Sequence, residues 1–188
     1  MPPLVGSTTT SVLFVDPHDK HCSTLQDMQQ HDVINALKLL ASASIAADIQ
    51  PHIVSEVPVL QFEEWPCNAD AAVAYHLHWL RDTGPIWSAS GLANALSAEQ
   101  KPNLLLCGFW LETKVSFLAL NALSAGYDVY LALDASPSCI PRTREAAFAR
   151  LQQSGVVPTT THQILAEWFE ESTKPGLRAI LHALLTPT

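Results

Sequence analysis

Residues 104–136 read LLLCGFWLETKVSFLALNALSAGYDVYLALDAS. The run Asn103 to Cys107 is apolar and suits a buried strand, Glu112 to Ala125 repeats its apolar residues at helical spacing, and Gly126 closes that helix. A second strand, Tyr127 to Leu133, then ends in Asp134-Ala135-Ser136. A strand, a helix and a strand in this order form a crossover unit with parallel strands. The residue out of keeping is Lys114, a cation in the first turn of a helix whose end is already electropositive.

Working outward, Ser11 to Val15 (SVLFV) is a short apolar run that stops at Asp16-Pro17. It reads as a buried strand carrying a carboxylate at its C-terminal end, the edge where open α/β sheets place their chemistry. Val33, Ile34, Leu37, Leu40, Ala41 and Ser44 recur at helical spacing up to about Ala47, with Asp32 as the N-cap, and His52 to Ser55 is the next strand. Glu56 to Trp87 holds Pro58, Pro66 and Pro85 and no clean period, so it is expected to be irregular apart from a short strand at Val73 to His78. Further helices are expected at Ser88 to Ala98, Arg142 to Gln153, His162 to Glu170 and Pro175 to Leu185, with a strand at Val156 to Thr159. The alternation predicts a single domain over 1–188, in three α/β/α layers around a mainly parallel, Rossmann-like sheet.

Composition narrows the partners. The 188 residues hold 10 Lys and Arg against 18 Asp and Glu, a formal charge of −8. No basic stripe is present to neutralise phosphates, so nucleic acid is not an expected partner. No apolar run reaches the roughly 18 residues that span a bilayer, so no membrane is expected either. The first residues lack the pattern of a signal peptide, and Cys22, Cys67, Cys107 and Cys139 form no CxxC pair, which predicts free thiols in a cytoplasmic protein.

SVLFVDPHD and the 104–136 stretch together resemble the isochorismatase-like hydrolase superfamily, also called the cysteine hydrolases. The resemblance extends over nearly the whole chain. It implies a three-layer fold with a strand ending in a catalytic Asp, then a nucleophile loop, helix, Gly-Tyr turn and strand ending in Asp-Ala. Members that cleave amides use an Asp, a Lys and a Cys whose thiolate attacks a carbonyl. Carried over, the Asp falls on Asp16, the Lys on or near Arg81, and the Cys on Lys114. The resemblance implies no cofactor. Some members carry an Asp-x-His metal motif after the second strand, but this chain has Ser55-Glu56-Val57 there, and no metal is expected.

The departures have physical consequences. A helix N-terminus favours a thiolate, whereas it disfavours an ammonium by about 0.3–1 kcal/mol when exposed. Lys114 therefore requires an anion, with Asp16, Glu112 or a bound carboxylate as candidates. A neutral lysine would form a stable amide with an acyl group instead of turning over. Cys139, in the loop after Asp134, is the alternative nucleophile, disfavoured because no base or helix N-terminus adjoins it. Asp16, His18, His21, Cys22, His76 and His78 could be grouped as a zinc site, but the plainer reading is that the histidines serve other roles. Trp65, Trp79, Trp87 and Trp110 fall in or beside segments that would line a pocket, so Trp87, Trp110 and Glu112 are candidates for contacting a small ligand, a carboxylate among them.

Two functions stay open. One is acid-assisted hydrolysis of a small carboxylate-bearing substrate, with Asp16 as the acid and Arg81 and Lys114 holding carboxylates. The other is an inactive family member that acts as a binding or assembly protein. The apolar C-terminal helix, with Leu177, Ile180, Leu181, Leu184 and Leu185, predicts a homodimer or larger homo-oligomer.

Overall fold

Short apolar strands run through the chain as β1 (Thr10–Val15), β2 (His52–Ser55), β3 (His76–Trp79), β4 (Asn103–Gly108), β5 (Asp128–Ala132) and β6 (Val157–Thr159). The computed structural model describes residues 4–25, 27–56, 75–79 and 85–186. The strands form one sheet in the order β3-β2-β1-β4-β5-β6, and every described pairing is parallel. All of β1 is buried, as expected of a strand covered on both faces.

Helices α1 (Asp19–Cys22), α2 (Asp27–Ala46), α3 (Ile86–Ala89), α4 (Leu92–Glu99), α5 (Ser116–Ser124), α6 (Arg144–Gln153), α7 (Thr161–Glu171) and α8 (Pro175–Leu185) cover it. Side chains of successive strand residues point to opposite faces, so each strand feeds two cores. Val12, Phe14, Ile53 and Cys107 meet Leu37 and Leu40 of α2, Trp168 of α7 and Leu181 of α8. Leu13, Val15, Val54 and Leu106 meet Leu92 and Leu96 of α4, Leu118 of α5 and Leu151 of α6.

The three-layer parallel architecture is the one expected, with several shifted boundaries. The second helix begins at Asp27, so Asp32 lies inside it rather than capping it. Its first turns carry exposed polar residues such as Gln29 and His31, which an apolar periodicity cannot register. The helix expected at 88–98 is divided at Ser90-Gly91, where Gly91 has φ 76°. A residue with a Cβ enters that region at a cost, so the glycine permits the break. The expected strand at Val73 to His78 is β3, four residues placed slightly later, and 73–74 lie outside the described residues. In α8, Leu177 and Leu181 are buried within this chain, and Leu184 and Leu185 pack against the same core. Only Ile180 of that set is strongly exposed, at 47%. The apolar face of α8 is thus spent mostly inside the chain and carries less of the argument for an oligomer than expected.

The strand order reverses direction between β1 and β4. In open α/β sheets this switch point leaves a crevice outside the carboxyl ends of the two strands, because their following loops turn to opposite faces. Asp16 follows β1 there, and residues 109–114 follow β4.

Candidate functional site

Gly108 sets the separation of the two loops. It pairs with Val15 in register and has φ 115°. A Cβ at Gly108 would stand 2.1 Å from the Val15 carbonyl oxygen, so no other residue fits. Phe109 N–H then donates to Val15 O (2.8 Å), and Gly108 N–H donates to Ala135 O (2.9 Å). The Phe109–Trp110 peptide is cis. Leu111 N–H donates to Pro137 O (3.0 Å), which ties the β4 loop to the β5 loop.

Leu111–Val115 forms a π-helical turn that runs into α5, and Lys114 sits in this wider turn rather than in the regular helix expected. Such turns recur at functional positions because they redirect side chains. The Lys114 ammonium pairs with Asp16 Oδ2 and lies 2.8 Å from Glu56 Oε1. Glu56 N–H donates to Asp16 Oδ1 (3.0 Å). Asp16 is 1% exposed and has φ 43°, and its own N–H donates to Val54 O (2.8 Å). A buried carboxylate needs a cation or several donors to offset its lost hydration, and Asp16 has both on its two oxygens.

His21, from α1, places Nε2 3.9 Å from Asp16 Oδ2. Its ring stacks on Phe109 (5.6 Å, 25°) and meets Trp110 edge-on (5.3 Å, 74°). Burial lowers the His21 pKa; Asp16 opposes that shift while the Lys114 and His18 cationic forms add to it. The described site is therefore an ion-paired carboxylate beside a neutral imidazole on an aromatic wall.

Glu112, a candidate partner for Lys114, turns away instead. It accepts from Ser138 Oγ (2.8 Å) and Ile140 N–H (2.9 Å), which pins the loop after β5. Asp134 accepts from Thr161 N–H (3.0 Å) and so holds the start of α7. Trp110 is half-buried at the site, whereas the half-buried Trp87 ring lies edge-on to Tyr127 (6.3 Å) and packs against the core that Leu92 of α4 and Leu118 of α5 share. Arg81, Trp65 and Cys67 lie outside the described residues. Glu56 and His21 join the site without having been assigned to it from the sequence. The signal for Glu56 was its place, one residue past β2 and beside the end of β1.

Cys139 is exposed and borders a cavity of about 520 Å³ together with Thr24, Leu25, Gln29, Ser138, Pro141 and Arg144, with no histidine or carboxylate among the described residues of that lining. His76 and His78 do share one face, but they stack on His52 rather than joining His18 and His21. Among the described residues no group of three His, Cys, Asp or Glu side chains could hold a metal ion. Nor is any described helix long and apolar enough to cross a membrane.

Known proteins share this arrangement of strands. The chain superposes on the crystal structure of YcaC from Escherichia coli, described as an octameric hydrolase of unknown specificity, with a TM-score of 0.80, 20% identity, and coverage of 100% of this chain and 94% of that one. By sequence it is 33% identical over 81 residues to "Probable hydrolase YcaC" of Escherichia coli (strain K12), covering 43% of this chain and 39% of that protein. It is 32% identical over 88 residues to "Isochorismatase domain-containing protein 2B" of Mus musculus, covering 47% and 42%. These sequence matches span about two-fifths of the relatives' own length. The Isochorismatase domain family matches residues 10–163, from the first residue of β1 into α7 and across every element that builds the site. With the fold and that match in agreement, the chain belongs to the isochorismatase family.

Proposed function

We propose that this chain is a hydrolase-like isochorismatase-family protein that lacks cysteine hydrolysis and serves as a binding or assembly protein. The observation behind this reading is the pairing of the Lys114 ammonium with the buried Asp16 carboxylate. A lysine there supplies no thiolate, and an ammonium engaged by Asp16 and Glu56 is not a nucleophile. The same pairing weakens the acid-assisted alternative. Donating a proton to an enol ether needs an Asp16 oxygen free to reach it, and both are engaged, Oδ2 by the Lys114 ammonium and Oδ1 by Glu56 N–H. Arg81 and Lys114 as a carboxylate clamp would also need Lys114 to leave Asp16.

Self-association into a homodimer or larger assembly is part of the proposal, by analogy with octameric YcaC. The exposed thiol of Cys139 suits a reducing, cytoplasmic setting. The test incubates the full chain with nicotinamide, an N-carbamoyl amino acid and isochorismate. No turnover above buffer is expected for any of them. Turnover that Asp16→Asn abolishes would overturn the proposal in favour of the acid-assisted reaction.

A further inference from the structure

At the amino edge of the sheet, opposite the edge that carries Asp16, the starts of β1, β4 and β5 frame a second cavity. Thr10, Asn103 and Asp128 lie side by side there in register. The cavity holds about 480 Å³, within the roughly 300–1,000 Å³ of small-molecule sites. Ser7–Thr9 forms one wall, and residues 172–174, which join α7 to α8, form another. Ser7 is 7% exposed, and its hydroxyl makes no hydrogen bond among the described residues.

Two charged residues in this lining stand at the unfavourable ends of their helices. Glu171 is the last residue of α7, where the final carbonyls gather negative potential, and the last turn holds no basic residue. Arg178 reaches the same end but spends its guanidinium on Phe169 O and Ser172 O rather than on Glu171. Lys174 immediately precedes α8, where the first N–H groups gather positive potential, and the first turn holds no acidic residue. Glu171 and Lys174 do not pair with one another, for neither takes part in an ion pair among the described residues. Asp128, also in the lining, has no cation there either. Two carboxylates and an ammonium thus border one cavity, each in want of an opposite charge.

We propose that this cavity binds a free α-amino acid with an aliphatic side chain. The ligand carboxylate is taken by the Lys174 ammonium and the first N–H groups of α8, and the ligand ammonium by Glu171 and Asp128. The Ser7 hydroxyl supplies a further hydrogen bond. Leu4, Pro102 and Leu177 offer apolar surface to the side chain. A simple anion would meet two carboxylates, and a simple amine would meet the ammonium and the α8 terminus, so the ligand that suits the lining carries both charges.

The test is a titration of the full wild-type chain with L-leucine, read by amide NMR. Saturable shifts are expected at Ser7–Thr9, Asp128 and Glu171–Lys174, with Asp16 and Lys114 unmoved. The same titration with 4-methylpentanoate, which lacks the ammonium, and with 3-methylbutylamine, which lacks the carboxylate, should show binding at least about tenfold weaker. Glu171→Gln and Lys174→Gln, both at exposed positions, should each weaken leucine binding by a similar factor. No saturable shift at these residues up to about 20 mM leucine would overturn the proposal. Equal affinity for leucine and either analogue, shifts confined to the surroundings of Asp16, or leucine affinity unaltered in both variants would overturn it as well.

Discussion

The Lys114 ammonium and the Asp16 carboxylate meet across the seam between β4 and β1, where the sheet reverses its winding. Each needs the other: the lysine stands in the turn leading into α5, and the aspartate is 1% exposed. Removing Lys114 leaves the buried Asp16 carboxylate without its cation, with Glu56 N–H on its other oxygen. The pair therefore ties two loops that would otherwise frame an open crevice, and Glu56 adds a third chain segment to the knot.

His21 should report on that pair. Burial holds its pKa below 6.5, and the Lys114 charge adds to the lowering. In Lys114→Met the cation is gone while Asp16 remains, so the His21 pKa should move upward in an NMR titration. An unchanged or lower value would mean that Lys114 does not sit beside the ring.

Gly108→Ala should be among the most damaging single substitutions in the chain. The added Cβ would meet Val15 backbone atoms at 2.1–2.9 Å, with φ at 115° besides. A loss beyond about 3 kcal/mol, or failure to fold, is expected. Gly126→Ala is the comparison, since φ 92° is unfavourable there but no atom lies within 4 Å. It should cost only on the order of 1 kcal/mol. Equal losses in urea unfolding would contradict the close approach at Gly108.

Much of this architecture was legible because it rests on local patterns. The apolar run Val12 to Val15 in β1, the helical spacing of α5 and the placement of Asp16 at a strand end all reflect short-range regularities that burial imposes. Lys114 as a cation in want of an anion was legible too, since a helix end has a known polarity. Its second anion, Glu56, was not, because 58 positions separate Glu56 from Lys114 and only the pairing of both β2 and β4 with β1 brings them together. The His78–His52–Glu99 chain of hydrogen bonds was hidden for the same reason, with partners 26 and 47 positions apart. The π-helical turn at Leu111–Val115 leaves the apolar spacing almost intact, so periodicity alone reads straight through it.

Glu99 should contribute to stability in a pH-dependent way. Burial alone would raise its pKa, but hydrogen bonds from His52, Ser11 and Lys101 outweigh it and bring it from 4.5 down to about 2. A lowered acid stabilises the fold above its unfolded value and loses that contribution as pH falls from 4.5 towards 2, worth on the order of 3 kcal/mol. Glu99→Gln should thus be clearly less stable than wild type at pH 6, with the gap closing by about pH 2. A gap independent of pH would contradict the network.

Thiol labelling should separate the cysteines by burial. Cys139 is exposed, while Cys22 and Cys107 are buried at 2% and 0%. Iodoacetamide should modify Cys139 in the native protein and reach Cys22 and Cys107 only on unfolding, with the melting temperature unchanged by the Cys139 adduct. Rapid native modification of Cys107 would contradict the packing of β4.

The measurement that bears most directly on the central claim is a double-mutant cycle on urea unfolding at pH 7, using Asp16→Asn, Lys114→Met and the two together. Lys114→Met leaves a buried carboxylate without its cation and should cost about 3–5 kcal/mol. In the double variant neither charge remains, so the combined loss should fall short of the sum of the single losses by more than 1 kcal/mol, above the roughly 0.3–0.5 kcal/mol scatter of independent sites. Losses that simply add would show that Asp16 and Lys114 do not act as a pair.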